Sequence, residues 1–322
     1  MKAPKIIGII LGLLIVIVLA GVLWFNMTYP KDGPVQNIRV DASPERIERG
    51  RYLANHVMVC MDCHSERNWQ YYAAPLKSGT LGMGGELFDE DFGKVYSANI
   101  TPAGIGKWTD GQLMHAIVSG VNPDGKVLVP VMPYPDYNHM DEDDLISIMA
   151  YIRTIEPIEN EVPGATIKFP FSALFQTAPA PYDPKPKPDT TDMVAYGKYL
   201  TTMAGCFTCH TPMEKGAPIL DMAFAGGMEF KTPIGLIRSV NITPDKDTGI
   251  GVWDEDDFVM RFQGYADSTM QTMPVMEGQF NTVMPWTMFS GMQEGDLRAI
   301  YRYLRTVKPI NHVVEKFTEP AP

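Results

Sequence analysis

The chain has 322 residues, 45% of them hydrophobic, and carries a net charge of −11 from 38 acidic and 27 basic residues. This length predicts about two folded domains, and the acidic balance argues against a nucleic-acid-binding protein, because Lys and Arg are too few to neutralise phosphates. All four cysteines fall in two short motifs, so none remains for a disulfide framework.

An uncharged apolar run of twenty residues, 6–25, comes first along the chain. As a helix it would span about 30 Å, the thickness of the hydrocarbon core of a bilayer. Because Lys2 and Lys5 precede it, we expect a single-pass anchor with a cytoplasmic N-terminus. Everything after Asn26 would then lie on the periplasmic side of the inner membrane, with 25 basic and 38 acidic residues and a net charge of −13.

A cleavable signal peptide is the alternative interpretation of this run. The apolar region of a signal peptide normally covers about 7–15 residues and ends at a small-residue cleavage site. Val18-Leu19-Ala20 resembles such a site, but the run continues to Phe25. Its length therefore favours an uncleaved anchor, and both interpretations export the rest of the chain.

Composition and periodicity divide the chain into four segments. We expect the membrane anchor at 1–30, a first domain at 31–156, a proline-rich linker at 157–191 and a second domain at 192–318. Amphipathic patterns predict an all-α fold class for both domains. The helices predicted in the first domain begin at Pro44, run from Leu113 to about Ser119, and run from Leu145 to Thr154.

Each predicted domain contains one C-x-x-C-H motif, which is the attachment signature of haem c. Two thiols add across the vinyl groups of the haem, and the adjacent histidine binds the iron from one face. The sequence therefore predicts two covalently bound haem c groups. The predicted thioether-forming cysteines and histidine ligands are Cys60, Cys63, His64, Cys206, Cys209 and His210.

A zinc site is the rival interpretation of two C-x-x-C pairs. Zinc ribbons usually bring their pairs together over about one to two dozen residues, whereas these pairs are 146 residues apart. A thioredoxin-like redox motif would need one C-x-x-C at a strand–helix junction, not a matched pair with histidines. Haem c therefore accounts best for both motifs.

The residues around the two motifs recur in the same order, which indicates a tandem duplication over about 44–156 and 192–310. The paired segments are Arg49–Leu53 with Tyr196–Leu200, Asn99–Pro102 with Asn241–Pro244, Gly104–Trp108 with Gly249–Trp253, Met132–Tyr134 with Met284–Trp286, and Asp144–Thr154 with Asp296–Thr306.

Met132 and Met284 are the predicted second iron ligands, because a pure electron carrier is best served by two protein ligands on each iron. Each precedes a proline in a loop before the last predicted helix of its domain. A thioether ligand raises the reduction potential. Most of the 21 methionines are expected to fill cores, whereas these two lie at matching places directly before a proline. The remaining histidines are expected to be ordinary surface or packed residues: His56, His115, His139 and His312.

Together these features closely resemble class I c-type cytochromes fused in tandem. The pattern comprises Gly-x-Tyr-Leu, Cys-x-x-Cys-His, Asn-Ile-Thr-Pro, Gly-Ile-Gly-x-Trp, Met-Pro-Tyr/Trp and Asp-Leu-x-x-Ile. It is most similar to the multihaem cytochrome c subunits of bacterial membrane-bound alcohol and gluconate dehydrogenases. Those subunits carry three haem motifs, and this chain carries two. The resemblance implies a cytochrome subunit that serves redox protein partners.

We therefore expect a membrane-anchored dihaem cytochrome c with no catalytic residue of its own. It would transfer single electrons from a dehydrogenase or respiratory complex to an oxidase or soluble cytochrome. One alternative is a dihaem enzyme, such as a peroxidase or a thiosulfate-oxidising cytochrome, which would need an open or exchangeable iron face. The other alternative is a mainly structural haem subunit of a respiratory complex.

Overall fold

The computed structural model describes residues 3–214, 216–232, 234–276 and 278–319. Lys2, which served to orient the anchor, lies outside them. The first element is helix α1, Ala3–Thr28, which contains the predicted apolar run. Within the described ranges, Pro4–Thr28 is the one helix long and apolar enough to cross a membrane, with a mean hydropathy of 3.3.

The first repeat, residues 44–156, begins with the predicted cap, since Ser43 Oγ accepts a hydrogen bond from Arg46 N at 3.3 Å. Thr109 and Gln112 form a capping box at a later helix, which ends at Gly120 with φ of 73°. The elements are α2 (Pro44–Tyr52), a π-helix (Leu53–Val57), α3 (Cys60–Cys63), β1 (Leu87–Glu90), β2 (Gly93–Tyr96), α4 (Pro102–Ile105), α5 (Asp110–Ser119), α6 (Tyr134–Tyr137) and α7 (Glu142–Ile152).

The linker contributes three short elements, one of which is a 3₁₀ helix at Phe175–Thr177. The second repeat, residues 192–310, has the first repeat's leading helix, motif turn, β-hairpin and three later helices in the same order. The elements are β3 (Thr166–Ile167), α8 (Phe171–Leu174), α9 (Met193–Met203), α10 (Cys206–His210), β4 (Met213–Glu214), β5 (Ala217–Pro218), β6 (Glu229–Thr232), β7 (Gly235–Arg238), α11 (Glu255–Gln263), α12 (Ser268–Gln271), α13 (Trp286–Phe289), α14 (Glu294–Leu304) and β8 (Phe317–Thr318).

The all-α prediction is correct for the helices but misses three small antiparallel sheets. Their strand orders are β1-β2-β3, β4-β5 and β6-β7-β8. In each three-stranded sheet a hairpin that follows the motif pairs with a segment beyond its repeat. Strands of two to four residues carry almost no periodic signal, because their stability comes from tertiary pairing. For that reason the sequence indicates none of these strands.

The first and last long helices of each repeat cross at a glycine. A Cβ atom on Gly50 of α2 would lie 1.8 Å from the carbonyl oxygen of Ser147, and one on Gly197 of α9 would lie 1.9 Å from that of Ala299. These carbonyls belong to α7 and α14. Only glycine permits this approach, so the pair Gly50 and Gly197 fixes the same helix crossing in both repeats.

The segment between α1 and α2 is packed against the first repeat. His115 Nε2 lies 2.9 Å from the carboxylate of Asp32, and Val40 N donates to Asp110 Oδ2 at 2.8 Å. Gly111 faces the carbonyl oxygen of Gln36 so closely that a Cβ would lie 1.8 Å from it. The segment between α1 and α2 therefore has no regular structure, yet it is held along α5.

The two repeats contact each other through equivalent residues. Tyr52 of the first repeat donates to Asp296 Oδ2 at 2.7 Å, and Tyr199 of the second donates to Asp144 Oδ2 at 2.9 Å. Because the two tyrosines correspond in the duplication, and so do the two aspartates, this contact is approximately two-fold symmetric.

Asp144 is expected to make the contact between the repeats sensitive to acid. Burial alone would raise its pKa, but Arg49 and Lys187 outweigh burial and hold the pKa of Asp144 below its usual value. Their nitrogens lie 3.0 and 2.9 Å from its oxygens. Since the pKa is lower in the folded than in the unfolded chain, the stabilisation is complete above about pH 4 and is lost as the pH falls through the folded pKa.

Asp144→Asn should therefore lower the free energy of unfolding at pH 7 by roughly 2–3 kcal/mol, because it leaves two cations facing a neutral amide. The variant should also lose part of the acid dependence of wild type in unfolding experiments between pH 3 and 7. Asp143→Asn is the matched control, since this neighbour is 81% exposed and pairs with Arg46 at 3.4 Å. Equal losses in both variants would contradict the role of Asp144.

Candidate haem-attachment sites

Each motif occupies one helical turn that begins after a residue in the left-handed region. Val59, with φ of 47°, precedes α3, and Gly205, with φ of 67°, precedes α10. Residues i and i+3 of a helix share a face, so the two thiols of each motif lie on the same side. The first cysteine of each motif is half-buried and the second is exposed, which leaves both accessible to a group along that face.

The π-helix accounts for a one-residue difference between the repeats. The first cysteine of the motif comes ten residues after the helix-crossing glycine in the first repeat and nine residues after it in the second. A π-turn accommodates one extra residue within a helix, and Leu53–Val57 stands at this place. The extra turn carries His56, whose Nδ1 lies 2.8 Å from the carbonyl oxygen of Met288 in the second repeat.

Both motif histidines are oriented by a backbone carbonyl. His64 Nδ1 lies 2.7 Å from the oxygen of Ala98, and His210 Nδ1 lies 2.7 Å from that of Val240. A carbonyl can only accept, so Nδ1 carries the hydrogen and Nε2 keeps its lone pair for a metal. Burial lowers the pKa of both histidines despite these bonds, which favours the neutral form that ligates iron.

The Asn-Ile-Thr-Pro segments hold these carbonyls in place. Asn99 Oδ1 accepts from Thr101 N at 3.0 Å and from its hydroxyl at 2.8 Å, while Asn99 Nδ2 donates to the oxygen of Ile158 at 2.8 Å. Asn241 and Thr243 make the same bonds within 0.1 Å. Both segments therefore form the same hydrogen-bonded turn, and the residue directly before each asparagine presents its carbonyl to the histidine.

Sequence reasoning did not identify the two carbonyl partners of the motif histidines. A backbone carbonyl has no side-chain signature, so Ala98 and Val240 carry no signal of their own. Their common position, one residue before Asn-Ile-Thr-Pro in both repeats, is the signal that could have found them.

Met132 and Met284 occupy equivalent places in the two repeats. Both are half-buried and pack against the hydrophobic core. Tyr134 N donates to the oxygen of Met132 at 2.8 Å, and Trp286 N donates to that of Met284 at 2.8 Å. The proline after each has nearly the same φ, −80° and −79°. The two loops therefore share one local conformation, as the duplication predicts.

The four other histidines each have a hydrogen-bond partner in the protein, in accordance with ordinary packed or surface roles. The pairs are His56 with Met288 O at 2.8 Å, His115 with Asp32 Oδ2 at 2.9 Å, His139 with Asp183 O at 2.9 Å and His312 with Ala225 O at 2.9 Å.

The two motifs lie close to each other. Thr208, inside the second motif, donates to Asp136 Oδ2 of the first repeat at 2.7 Å. Although both side chains are exposed, desolvation of the thiol by the surrounding protein, followed by Asp62 and with a contribution from Cys209, raises the pKa of Cys63 to about 12. Desolvation, followed by Asp136 and Asp62, likewise raises the pKa of Cys209 to about 11. Groups of the two motifs are therefore close enough to interact electrostatically.

The donor set fits haem c better than zinc. Each site offers two thiols on one face of a turn and an oriented histidine with a free Nε2. In the part of the chain that the structure describes, no three His, Cys, Asp or Glu side chains converge as a cysteine-rich zinc site requires.

No protein-family model matches the chain. The chain is 30% identical, over 84% of its length, to an alcohol dehydrogenase (quinone) cytochrome c subunit of Gluconacetobacter polyoxogenes, of which it covers 58%. It is 30% identical, over 85% of its length, to a fructose dehydrogenase cytochrome subunit of Gluconobacter japonicus, of which it covers 55%. A dihaem cytochrome c-type protein of Cereibacter sphaeroides is 30% identical over 58% of this chain and 64% of its own length. The chain thus spans little more than half of the two dehydrogenase subunits.

Proposed function

This chain is a homologue of the cytochrome c subunits of alcohol, fructose and gluconate dehydrogenases, and on that premise we propose that it is a membrane-anchored dihaem cytochrome c that transfers single electrons. The observation that carries the proposal is the duplicated bond between a motif histidine and a carbonyl, at 2.7 Å in both repeats. This bond leaves Nε2 of His64 and of His210 with a lone pair for iron, in two neighbouring sites.

Each repeat holds one haem through the thioether bonds of its two cysteines, with a histidine and a methionine as iron ligands. When bound, each haem takes up and releases one electron at a time. Two protein ligands keep substrates away from the iron, which suits a carrier and not a peroxidase. The covalent anchors are Cys60, Cys63, Cys206 and Cys209, and the iron ligands are His64, Met132, His210 and Met284.

The proximity of the motifs supports a relay between the two haems. Tyr137 of α6, one residue after the aspartate that bonds to Thr208, is buried, and burial raises the pKa of its phenol well above the usual value. Electrons would cross between the two sites in single steps.

The donor that fits the homology is a dehydrogenase, since relatives covering most of the chain are named as dehydrogenase cytochrome subunits. The acceptor would be an oxidase or a soluble cytochrome. The proposed architecture is two haem domains, 31–156 and 192–318, joined by the linker 157–191 and held by α1 at the periplasmic face of the inner membrane. The apolar length of α1 supports the anchor.

Substitution of the two methionines tests the ligand assignment and the carrier role together. Met132→Leu and Met284→Leu keep the side-chain volume but remove the thioether. Each variant should lose about half of the weak far-red band of ferric methionine-ligated haem, and the double variant should lose all of it. Met149→Leu, a fully buried methionine of α7, is the control and should keep the whole band.

An unchanged band in the double variant would refute the methionine ligands. High-spin, five-coordinate haem in the resting wild-type protein would refute the carrier role and favour a dihaem enzyme instead, because one iron would then have an open face.

A further inference from the structure

The loop that leads to Met284 is held by the first repeat. Asn281 is fully buried, and its Oδ1 accepts from Ala73 N at 2.9 Å. Its Nδ2 donates to the carbonyl oxygens of Tyr71 at 3.0 Å and of Trp69 at 3.3 Å. A residue three positions before the predicted ligand is therefore fixed by the backbone of the other repeat.

Arg67 connects the first motif to the residue next to Met284. Its Nη1 lies 3.2 Å from Asp62 Oδ2, and both side chains are 8% exposed. Its Nη2 donates to the carbonyl oxygen of Val283 at 3.4 Å. Two more of its bonds, at 3.3 and 3.2 Å, hold the oxygens of Ala73 and Ala74, whose φ values of 60° and 43° are unusual for alanine. One buried guanidinium thus joins four acceptors.

The other side of the Met284 loop is also covered by the first repeat. The carbonyl oxygen of Met288 contacts His56 Nδ1 at 2.8 Å. Gly291 leaves room for this imidazole, since a Cβ there would lie 2.2 Å from Nδ1. Gln293 N donates to the hydroxyl of Tyr52 at 3.0 Å. The first repeat therefore braces the chain both before and after Met284.

The Met132 loop is held differently. Leu128 N donates to the oxygen of Gly120 at 2.7 Å, and the hydroxyl of Tyr134 donates to the oxygen of Leu128 at 3.2 Å, so its bonds lie within its own repeat. Among the described contacts of residues 120–137, the bond between Asp136 and Thr208 is the one hydrogen bond to the second repeat. The bracing is thus asymmetric.

We propose that Arg67, braced by Asp62, is a positioning residue for Met284, so that the first repeat controls the axial ligation of the second haem. This inference rests on the proposed role of Met284 as an iron ligand. Removal of Arg67 leaves the carbonyls of Val283, Ala73 and Ala74 without their shared donor and leaves Asp62 buried without its cation. The loop would then open more often, and Met284 would hold the iron of a bound haem less firmly.

The test uses the full-length, detergent-solubilised holoprotein in a Met132→Leu background, where the remaining far-red band belongs to the second haem. Arg67→Met should remove most of this band and should speed the replacement of Met284 by added imidazole at least tenfold. Met284 raises the potential of its haem because a thioether binds ferrous iron more tightly than ferric iron. One of the two midpoint potentials should therefore fall by about 59 mV for each tenfold decrease in this affinity ratio. Arg67→Lys keeps the charge beside Asp62 but cannot reach all four acceptors. Its far-red band and its imidazole replacement rate should lie between those of wild type and Arg67→Met. This variant keeps the test usable if Arg67→Met fails to fold.

Arg153→Met is the matched control, because Arg153 also pairs with an aspartate, Asp110, at 3.1 Å and donates to two carbonyls within the first repeat. It should leave the band and the imidazole rate unchanged. A wild-type band and rate in Arg67→Lys, or equal effects in the Arg67 and Arg153 variants, would overturn the inference. Met284→Leu in the same background separates the two proposals: a band that survives this change refutes the ligand assignment itself.

Discussion

Replacement of both Cys206 and Cys209 by alanine should leave one covalent haem per chain in place of two. The second motif would keep its histidine, but no thioether bond could form, and a haem held by ligands alone is lost on denaturation. The second repeat would also lose an apolar group from a small core, so its unfolding midpoint should fall. The pyridine haemochrome assay and the mass of the intact chain measure the result directly.

Thr208→Ala is the matched control for the cysteine variant. It changes the same turn, α10, and removes the hydroxyl that bonds to Asp136 at 2.7 Å, but it keeps both thiols. This variant should retain two haems. Two covalent haems in the double cysteine variant would place the second attachment elsewhere in the chain.

Gly197→Ala should destabilise the second repeat by about 3 kcal/mol or more, which is the upper range for overpacking. The new methyl group would lie 1.9 Å from the oxygen and 2.4 Å from the carbon of the Ala299 carbonyl. Both atoms are backbone, so no side-chain rotation relieves the clash and α9 and α14 must separate. Thermal unfolding of the detergent-solubilised chain, followed by circular dichroism, measures the loss.

Gly295→Ala provides the control on the same helix, α14. No atom lies within 4 Å of a Cβ placed there, and alanine is a better helix former than glycine by about 1 kcal/mol. This variant should unfold at or slightly above the wild-type midpoint. Equal midpoints for the two alanine variants would contradict the close helix crossing.

The long helices and their ends could be predicted because their signals are local. Ser43 and Thr109 each cap a helix by a bond to the backbone three residues later, and Gly120 ends α5 in the left-handed conformation. The apolar stripe of α7 follows the helical period. The duplication also allowed Met132 and Met284 to be predicted as equivalent residues, because a Met-Pro-aromatic pattern that is weak by itself occurs at the same place in both repeats.

The contacts between the repeats could not be predicted, because they join residues 55 to 244 positions apart in the chain. Arg67 belongs to no motif or repeated segment of the sequence, and its burial beside Asp62 appears only in the folded chain. The extra residue before Cys60 is visible in the sequence spacing. Its accommodation as a π-helix at Leu53–Val57 appears only in the folded chain.

The most direct test of the account is a coulometric reductive titration of the full-length protein, with its covalent haem counted in the same sample. We expect two covalent haem c groups per chain, both low-spin when oxidised, and the uptake of two electrons in one-electron steps. Haem that is released by acidic organic solvent, or uptake of fewer than two electrons per chain, would contradict a two-site relay.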